Sequence, residues 1–393
     1  MSCELISRSA DLAALKIEGF EIAVIDGFLV VTNIPYVTST KEVKRGTLMS
    51  PLTTAGDVAA VPGTHVVHFN GEFPCHRDGA PIEALRHGTN RVQLSPRLTA
   101  DHSFSNKPQE GYADYQQLVT TYATIISAPA TSLDPTAIPR TFGVVETLED
   151  DSVFRYVDTA SSRAGIAAAS AVLAQENVAI VGLGGTGSYV LDLVAKTPVK
   201  TIHLFDGDRL LTHNAFRSPG AMSLEQLRGA PTKVEYFGQL YDRMRRNIVA
   251  YPVRIDDTNV HLLQRMDFVF VCVDNGPARK LIIDALLAAG VSFVDVGMGV
   301  QQVDDQLLGI VRVTANTSKR PAAFVLSTVV PCAEVVEDDA YDKNIQLADL
   351  NALNAALAVI RWKKSAGFYQ DFESEHHSTY STNVNLLTSD GCP

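Results

Sequence analysis

The sequence predicts an α/β protein: a Rossmann-like, mostly parallel sheet with helices on both faces, preceded by a smaller N-terminal α+β or mainly β domain. Three observations lead to this prediction. From about residue 178 onward, apolar strand-like runs alternate with helix-like runs, as is typical of parallel sheets. A glycine-rich loop follows the first of these strands, as in nucleotide-binding folds. The first 150 residues instead carry short strand-like runs separated by Gly, Pro and Asp,.

The length of 393 residues suggests about two or three domains of roughly 150 residues each. We expect a boundary near residues 145–160, where several acidic residues precede a helix-like run at 163–173. This divides the chain into an N-terminal recognition domain, residues 1–150, and an ATP-binding adenylyltransferase domain, residues 151–393. The hydrophobic content of 46% allows a sizeable core.

Charge and cysteine content exclude several classes of protein. The net charge of −11 disfavours a general nucleic-acid-binding surface, which is usually basic. No run approaches the roughly 18 apolar residues that span a bilayer, and the first ten residues lack a signal-type apolar core, so we expect a cytoplasmic protein with no membrane association. The five cysteines are widely spaced, which disfavours a disulfide scaffold or a four-cysteine zinc site.

Periodicity and breaker residues place the elements along the chain. In the N-terminal part we predict a helix at 10–18, strands at 21–25, 28–31 and 64–69, and proline-containing loops from 96 to 139. In the C-terminal part we predict strands at 178–181, 201–205, 247–255, 268–273, 292–296, 307–314 and 324–330, and helices at 188–195, 231–244, 278–290 and 345–363.

The loop between the strand at 178–181 and the helix after it has the composition of a nucleotide-binding turn. It contains Gly182, Gly184, Gly185 and Gly187. Glycines let the backbone approach a phosphate closely, and the helix start offers free N–H groups to an anion. Asp206 ends the next strand, the usual place for a carboxylate that binds ribose hydroxyls. Together these features predict nucleotide binding rather than a tight turn that only packs a helix on a sheet.

Further polar residues follow in a fixed order. They are Asp208, Asn214, Arg217, Lys233 and the pair Asp274-Asn275 at the end of a later strand. With the glycine loop, this set resembles the ThiF-type adenylyltransferases, the superfamily of ubiquitin-activating enzymes and of the activators of sulfur-carrier proteins. No single motif of this set identifies the superfamily, whereas the complete set in this order does.

The resemblance implies ATP and Mg²⁺ as cofactors and attack of a carboxylate on the α-phosphate. Arg217, Asn214 and Lys233 would neutralise and orient the phosphates. Asp274 would hold Mg²⁺, which prefers oxygen ligands. Asp208 would help to position the metal or the loop. The partner would be a ubiquitin-like or sulfur-carrier protein ending in Gly, and a conjugating enzyme could follow it.

The chain departs from the family in its arginines and cysteines. Family members usually carry Arg-Tyr-x-Arg before the glycine loop, often supplied by a second protomer, whereas this chain reads Arg-Tyr-Val-Asp at 155–158. A homodimer is the family expectation, and Arg163 is a candidate replacement for the missing arginine. Cys332 is the candidate nucleophile for a thioester, although acidic neighbours disfavour its thiolate. Cys272 is interpreted as a core residue. Cys392, next to the C-terminus, could reach many places or have no role.

Five histidines and cysteines of the N-terminal part are candidates for a metal site: His65, His68, Cys75, His76 and His102. Cys75 with one of the histidines is also a candidate nucleophilic pair. Their spacing matches no metal-binding template, so we interpret them as incidental residues of strands and turns. We expect this domain to recognise the protein substrate or a conjugating enzyme.

We therefore predict an ATP-dependent adenylyltransferase that activates the C-terminal carboxylate of a ubiquitin-like or sulfur-carrier protein. Two alternatives belong to other classes. An NAD-dependent oxidoreductase would need the glycines and Asp206 but leaves Arg217, Lys233 and Asp274 without a joint purpose. A nucleotide-binding scaffold would leave the function to the N-terminal domain, which the missing arginine favours. Adenylation of a small-molecule or tRNA carboxylate is a further possibility within the family.

Overall fold

The computed structural model describes residues 2–143, 145, 152–317, 330 and 345–390. The chain divides into two compact units, Met1–Ala171 and Val172–Pro393. The division lies C-terminal to the boundary expected at residue 150, because two short helices after residue 158 contact strands of the N-terminal unit.

The N-terminal unit is α+β. Its main sheet has six strands in the order β1-β2-β3-β6-β10-β7, and every neighbouring pair is antiparallel. The helices of the unit are α1 (Ser2–Arg8), α2 (Ala10–Ile17), α3 (Tyr115–Leu133), α4 (Thr159–Arg163) and α5 (Ala167–Ser170). The strands are β1 (Glu21–Ile25), β2 (Phe28–Val37), β3 (Val43–Pro51), β4 (Thr54–Ala55), β5 (Val58–Ala59), β6 (Val66–Asn70), β7 (Arg86–Gly88), β8 (Val92–Ser95), β9 (Leu98–Ala100) and β10 (His102–Ser105).

Helix α3 corrects the prediction of loops across residues 96–139. The side chain of Asp114 caps the helix by accepting a hydrogen bond from the Gln117 N–H. Apolar residues at helical spacing, among them Leu118 and Tyr122, are fully buried in the core of the unit. Pro129 lies inside the helix near its end. The frequency of prolines obscured a helix that its cap and apolar face specify.

The helix predicted at 163–173 is also corrected. The structure has α4, α5 and a short 3-10 turn, Ala171–Leu173, instead of one helix. Gly165 has φ +68°, a left-handed conformation that ends a helix. Asp158 caps α4 by accepting hydrogen bonds from the N–H groups of Ala160 and Ser161.

The C-terminal unit contains one eight-stranded sheet in the order β13-β12-β11-β14-β15-β16-β17-β18. Its strands are β11 (Asn177–Val181), β12 (Thr201–Phe205), β13 (Ile248–Tyr251), β14 (Phe268–Val271), β15 (Ser292–Val303), β16 (Gln306–Asn316), β17 (His377–Ser381) and β18 (Leu386–Asp390). Its helices are α6 (Gly185–Val194), α7 (Thr212–Ala215), α8 (Leu224–Gly229), α9 (Lys233–Asp242), α10 (Gly276–Ala289) and α11 (Ala348–Ser365).

The first five strands, from β13 to β15, are parallel, and the remaining strands continue as an antiparallel meander. Strand order reverses between β11 and β14, which places a ligand-binding crevice at the carboxyl ends of these two strands. Both faces are covered: Val178 and Ile180 pack in one core cluster with α6, α9 and α11, while Ala179 and Val181 pack in another with α10. The predicted fold class is confirmed.

Some predicted bounds change. The strands at 292–296 and 307–314 lengthen into a hairpin of 12 and 11 residues. The edge strand predicted at 247–255 is limited to β13, and the following residue is Pro252, which lacks an N–H for the ladder. The strand predicted at 324–330 lies, except for Val330, outside the described residues. Within the described ranges, no helix has the length and hydropathy needed to cross a bilayer.

The core of the C-terminal unit offers a stability test. Phe270 is fully buried in β14, with its ring centroid 5.9 Å from that of Trp362, the only tryptophan of the chain. We expect Phe270→Ala to lower the free energy of unfolding by about 3–5 kcal/mol because it leaves a cavity. Urea unfolding followed by Trp362 fluorescence measures the change.

The matched control is Phe372→Ala in the same unit, because Phe372 is 87% exposed. This variant should change the free energy of unfolding by less than about 0.5 kcal/mol. Equal effects of the two substitutions would contradict the packing described for β14.

Candidate active site

The glycine loop lies at the carboxyl end of β11 and is shaped by close backbone packing. Gly182 has φ +91°, and a Cβ there would lie 2.6 Å from the carbonyl oxygen of Cys272. A Cβ on Gly187 would lie 1.9 Å from the carbonyl oxygen of Gly182. Side chains at these two positions would push the loop away from β14. These glycines therefore set the path of the loop.

The other two glycines of the turn differ in their surroundings. Gly184 precedes α6 as its N-cap, and a Cβ there would meet open space. The N–H groups of the first turn and the positive end of the helix dipole suit an anion at this position. Gly185, in contrast, is covered by Asn351, whose Nδ2 would lie 2.1 Å from an added Cβ.

Asp206 joins the glycine loop to the end of β12. The residue is 8% exposed. Its Oδ2 accepts a hydrogen bond from the Leu183 N–H at 2.7 Å, and its Oδ1 accepts one from the Asp208 N–H at 2.8 Å. Two backbone donors thus hold the carboxylate at the position predicted to bind ribose, with lone pairs left for further donors.

Lys233 brings a buried positive charge to the same corner. Its side chain is 7% exposed, and its Nζ lies 2.8 Å from Asp208 Oδ2 and 3.6 Å from Asp206 Oδ2. Asp208 Oδ1 also accepts a hydrogen bond from Arg254 at 2.7 Å. The hydrogen bonds from Lys233 and Arg254 hold the pKa of Asp208 below its usual range. Asp208 is therefore an ionised anchor between two cations.

Local structure explains why Lys233 is fixed there. It is the first residue of α9, which Thr232 caps in a capping box with Glu235. The Lys233 N–H donates to the carbonyl of Asp208 at 2.9 Å. The backbone and the side chain of Lys233 thus hold the same acidic residue.

Asn214 and Arg217 occupy the segment between Asp208 and Lys233. Asn214 is 2% exposed, and its Oδ1 accepts a hydrogen bond from the Leu211 N–H, so this oxygen caps α7. Arg217 Nε is buried and has no hydrogen-bond partner among the residues the structure describes. A buried guanidinium N–H without an acceptor is costly, and a bound anion would satisfy it.

Asp274 follows β14, on the other side of the switch point. The residue is exposed, and within the described part of the chain no hydrogen bond or ion pair is seen at its carboxylate. Asn275 caps α10 by accepting a hydrogen bond from the Ala278 N–H. An exposed carboxylate beside a phosphate-binding turn suits Mg²⁺, which is commonly held by one or two carboxylates together with substrate phosphates.

Sequence reasoning missed Asn351. It is 1% exposed on α11, and its Oδ1 accepts a hydrogen bond from Thr186 Oγ1 at 2.9 Å. Its Nδ2 donates to the carbonyl of Arg217 at 3.5 Å. Asn351 thus links the glycine loop to the backbone of the predicted phosphate-binding arginine. The sequence signal was a pair of asparagines, Asn351 and Asn354, in the apolar N-terminal half of this helix.

The remaining candidate residues are one arginine and three cysteines, and the described part of the structure supports none of them as a catalytic residue of this site. Arg163 ends α4 in the N-terminal unit, where its guanidinium lies near Gly63. Cys272 comes directly after β14 and packs against the core, and burial raises the pKa of its thiol. Cys332 and Cys392 lie outside the described residues.

The histidine- and cysteine-rich segment forms no metal centre in the described ranges, where no group of three or more His, Cys, Asp or Glu residues could hold an ion. His68 and His102 lie on β6 and β10. The thiol of Cys75 donates to the carbonyl of Phe73 at 3.3 Å, and burial raises its pKa.

Each part of the chain matches a known family model. Residues 162–328 match the ThiF family, and residues 10–159 match a domain of unknown function, DUF6791. The adenylyltransferase and sulfurtransferase UBA4 of Saccharomyces cerevisiae is 27% identical over 138 residues, which cover 33% of this chain and 30% of the yeast protein. The match thus spans less than a third of that relative.

Two solved structures are also similar. Escherichia coli MccB with MccA-N7isoASN shares 18% identity at a TM-score of 0.45, over 57% of this chain and 66% of that chain. PaaA shares 14% identity at a TM-score of 0.45, over 57% of this chain and 75% of that chain.

The glycine loop gives a paired prediction. We expect Gly184→Ala to change the free energy of unfolding by less than about 0.5 kcal/mol, yet to weaken ATP binding because the methyl group enters the open space beside the turn. Gly182→Ala should cost about 1–3 kcal/mol because the methyl group meets backbone. Urea unfolding and titration calorimetry with ATP separate the two effects. A Gly184→Ala protein that binds ATP like the wild type would contradict this assignment of the loop surface.

Proposed function

We propose that this chain is an ATP-dependent adenylyltransferase. Its residues 162–328 match the ThiF family, and an additional N-terminal domain precedes them in the sequence. Its substrate would be the C-terminal carboxylate of a ubiquitin-like or sulfur-carrier protein that ends in Gly. The name of the yeast relative, an adenylyltransferase and sulfurtransferase, supports the reaction class.

The observation that carries the proposal is the buried Nε of Arg217, which has no hydrogen-bond partner among the described residues. The carbonyl of the same residue is linked through Asn351 to the glycine loop. A dinucleotide-dependent oxidoreductase would need the loop and Asp206, but would leave the buried Nε of Arg217 without an acceptor. A triphosphate supplies that acceptor and the charge that Lys233 can neutralise.

In the proposed reaction, a carboxylate oxygen of the substrate protein attacks the α-phosphorus of ATP. The bond from this phosphorus to the oxygen that bridges to the β-phosphate breaks, and its electron pair leaves with pyrophosphate. The product is an acyl-adenylate. Because two anions meet, the main task of the protein is to neutralise and orient them beforehand.

The residues divide this task. Asp206 would accept hydrogen bonds from the ribose, and the N–H groups at the start of α6 would contact phosphate oxygens. Arg217 and Lys233 would lower the negative charge at the site of attack. Asp274 would hold Mg²⁺, which supplies further neutralisation of the phosphates when bound. Asn214 would act through its cap on α7, which precedes Arg217.

Arg254 makes the contribution of Lys233 possible. In the structure both cations bind Asp208. When the ammonium of Lys233 turns toward a phosphate, Asp208 keeps a guanidinium partner and stays compensated. The exchange of partners therefore leaves no unpaired carboxylate beside the nucleotide.

The partners and the later step are also part of the proposal. We propose a cytoplasmic homodimer, with Arg163 as a candidate for the arginine missing before the glycine loop. The N-terminal domain would recognise the substrate protein or a conjugating enzyme. Cys332 would take the acyl group from the adenylate as a thioester, with AMP as leaving group.

Removal of the charged residues tests the adenylation step. We expect Arg217→Ala, Lys233→Ala and Asp274→Ala each to lower ATP–pyrophosphate exchange by about 100-fold or more, measured with a carrier protein ending in Gly that is captured by the ATP-loaded enzyme. Matched controls are Arg265→Ala and Lys200→Ala, exposed residues at the amino ends of β14 and β12, which should exchange normally. Normal exchange in all three site variants would defeat the assignment.

Substitution of the candidate nucleophile tests the transfer step separately. We expect Cys332→Ala to keep pyrophosphate exchange and to lose any thiol-labile adduct with the carrier protein. Non-reducing electrophoresis with and without thiol detects the adduct. An undiminished adduct would remove Cys332 from the mechanism without affecting the adenylation proposal.

A further inference from the structure

A buried ionic triad of Asp295, Arg279 and Arg312 contacts the backbone next to Asp274. Asp295 of β15 is 0% exposed, and its carboxylate forms ion pairs with the guanidinium groups of Arg279 and Arg312. Arg279 Nε lies 3.0 Å from Asp295 Oδ1, and Arg312 NH2 lies 2.5 Å from Asp295 Oδ2. The two arginine side chains are themselves 8% and 12% exposed.

Stability alone does not explain this triad. Desolvation of buried charges offsets much of their attraction, and well-packed apolar residues of similar volume are often as stabilising or more so. Asp295 pairs in register with Val271 of β14 and with Thr314 of β16, and its neighbours along β15, Val294 and Val296, are buried and apolar. A triad placed there can instead fix the position of the backbone that its side chains contact.

Arg279 connects the triad to the backbone of the site. It lies on α10, and its NH2 group donates a hydrogen bond to the carbonyl of Val273. That carbonyl belongs to the peptide unit joining Val273 to Asp274. On the other side of Asp274, Asn275 caps the same helix. Asp274 is thus held from both sides through α10, while its own carboxylate makes no hydrogen bond or ion pair in the described part of the chain.

The same stretch of backbone also shapes the glycine loop. The carbonyl of Cys272 lies 2.6 Å from the position of a Cβ on Gly182, and the Val273 nitrogen lies 3.2 Å from it. Residues 272–274 therefore contact the phosphate-binding turn at one end and carry the free carboxylate at the other. A shift of this stretch would change the distance between turn and carboxylate.

We infer that Arg279, anchored by Asp295, is a positioning residue that sets Asp274 at the correct distance from the glycine loop for a metal–triphosphate. This inference rests on the proposed function. The fork of a guanidinium is required, because Arg279 must bind a carboxylate and a carbonyl in two fixed directions, which a single ammonium group cannot reproduce.

The test uses Mn²⁺ in place of Mg²⁺, with ATP present, and measures Mn²⁺ affinity by electron paramagnetic resonance on the full chain. We expect Arg279→Lys to weaken Mn²⁺ binding by about tenfold or more, as substitutions behind a metal ligand commonly do, and Asp274→Asn to weaken it at least as much. The double variant should lose little beyond Asp274→Asn, because both substitutions act through one carboxylate.

The matched control is Arg361→Lys. Arg361 is 7% exposed and lies 2.7 Å from Asp371, so it is a comparable buried ion pair elsewhere in the unit. We expect it to leave Mn²⁺ affinity unchanged whatever it does to the unfolding temperature. Should Arg279→Lys fail to fold, Asp295→Asn, which loosens the anchor of Arg279 at constant shape, takes its place in the cycle under the same criterion.

The inference would be overturned by any of three results. Mn²⁺ affinity could be unchanged in the folded Arg279→Lys variant, the two losses of affinity could multiply in the double variant, or Arg361→Lys could lose as much affinity as Arg279→Lys. A wild-type protein that binds no ATP would instead defeat the proposed function, and the two failures are thus distinguishable.

Discussion

The candidate site depends on the carboxylate of Asp206. It accepts backbone hydrogen bonds from Leu183 and Asp208, so the glycine loop and the loop after β12 are joined at one side chain. Lys233 lies 3.6 Å away and compensates the buried charge. Without this side chain, the two N–H groups would lose their acceptors, and the ammonium of Lys233 would lose one of its two carboxylates.

In the proposed function, a triphosphate would replace some of the partners of the charged groups around this carboxylate. Asp208 is shared by Lys233 and Arg254, while Arg217 Nε lacks an acceptor in the residues described. A chain with a net charge of −11 thus presents cationic groups at one turn. Adenylation brings two anions together, and such preorganised cations are what that reaction requires.

The sequence predicted the features that local patterns encode and missed those that depend on distant contacts. The strands and helix around the glycine loop follow from periodicity and glycine spacing, and Asp206 and Lys233 follow from their order. Helix α3 was missed because its prolines outweighed its apolar face. Asn351 was missed because its partner Thr186 is 165 residues away, and the contact of Arg279 with Asp295 joins a helix to a strand that only the fold brings together.

The most direct measurement is a crystal structure of the protein with a non-hydrolysable ATP analogue and Mg²⁺. We expect phosphate oxygens against Gly184 and within hydrogen-bonding distance of Arg217 Nε, the ribose hydroxyls at Asp206, and the metal at Asp274. A triphosphate bound elsewhere, or one that leaves Arg217 without an acceptor, would contradict it.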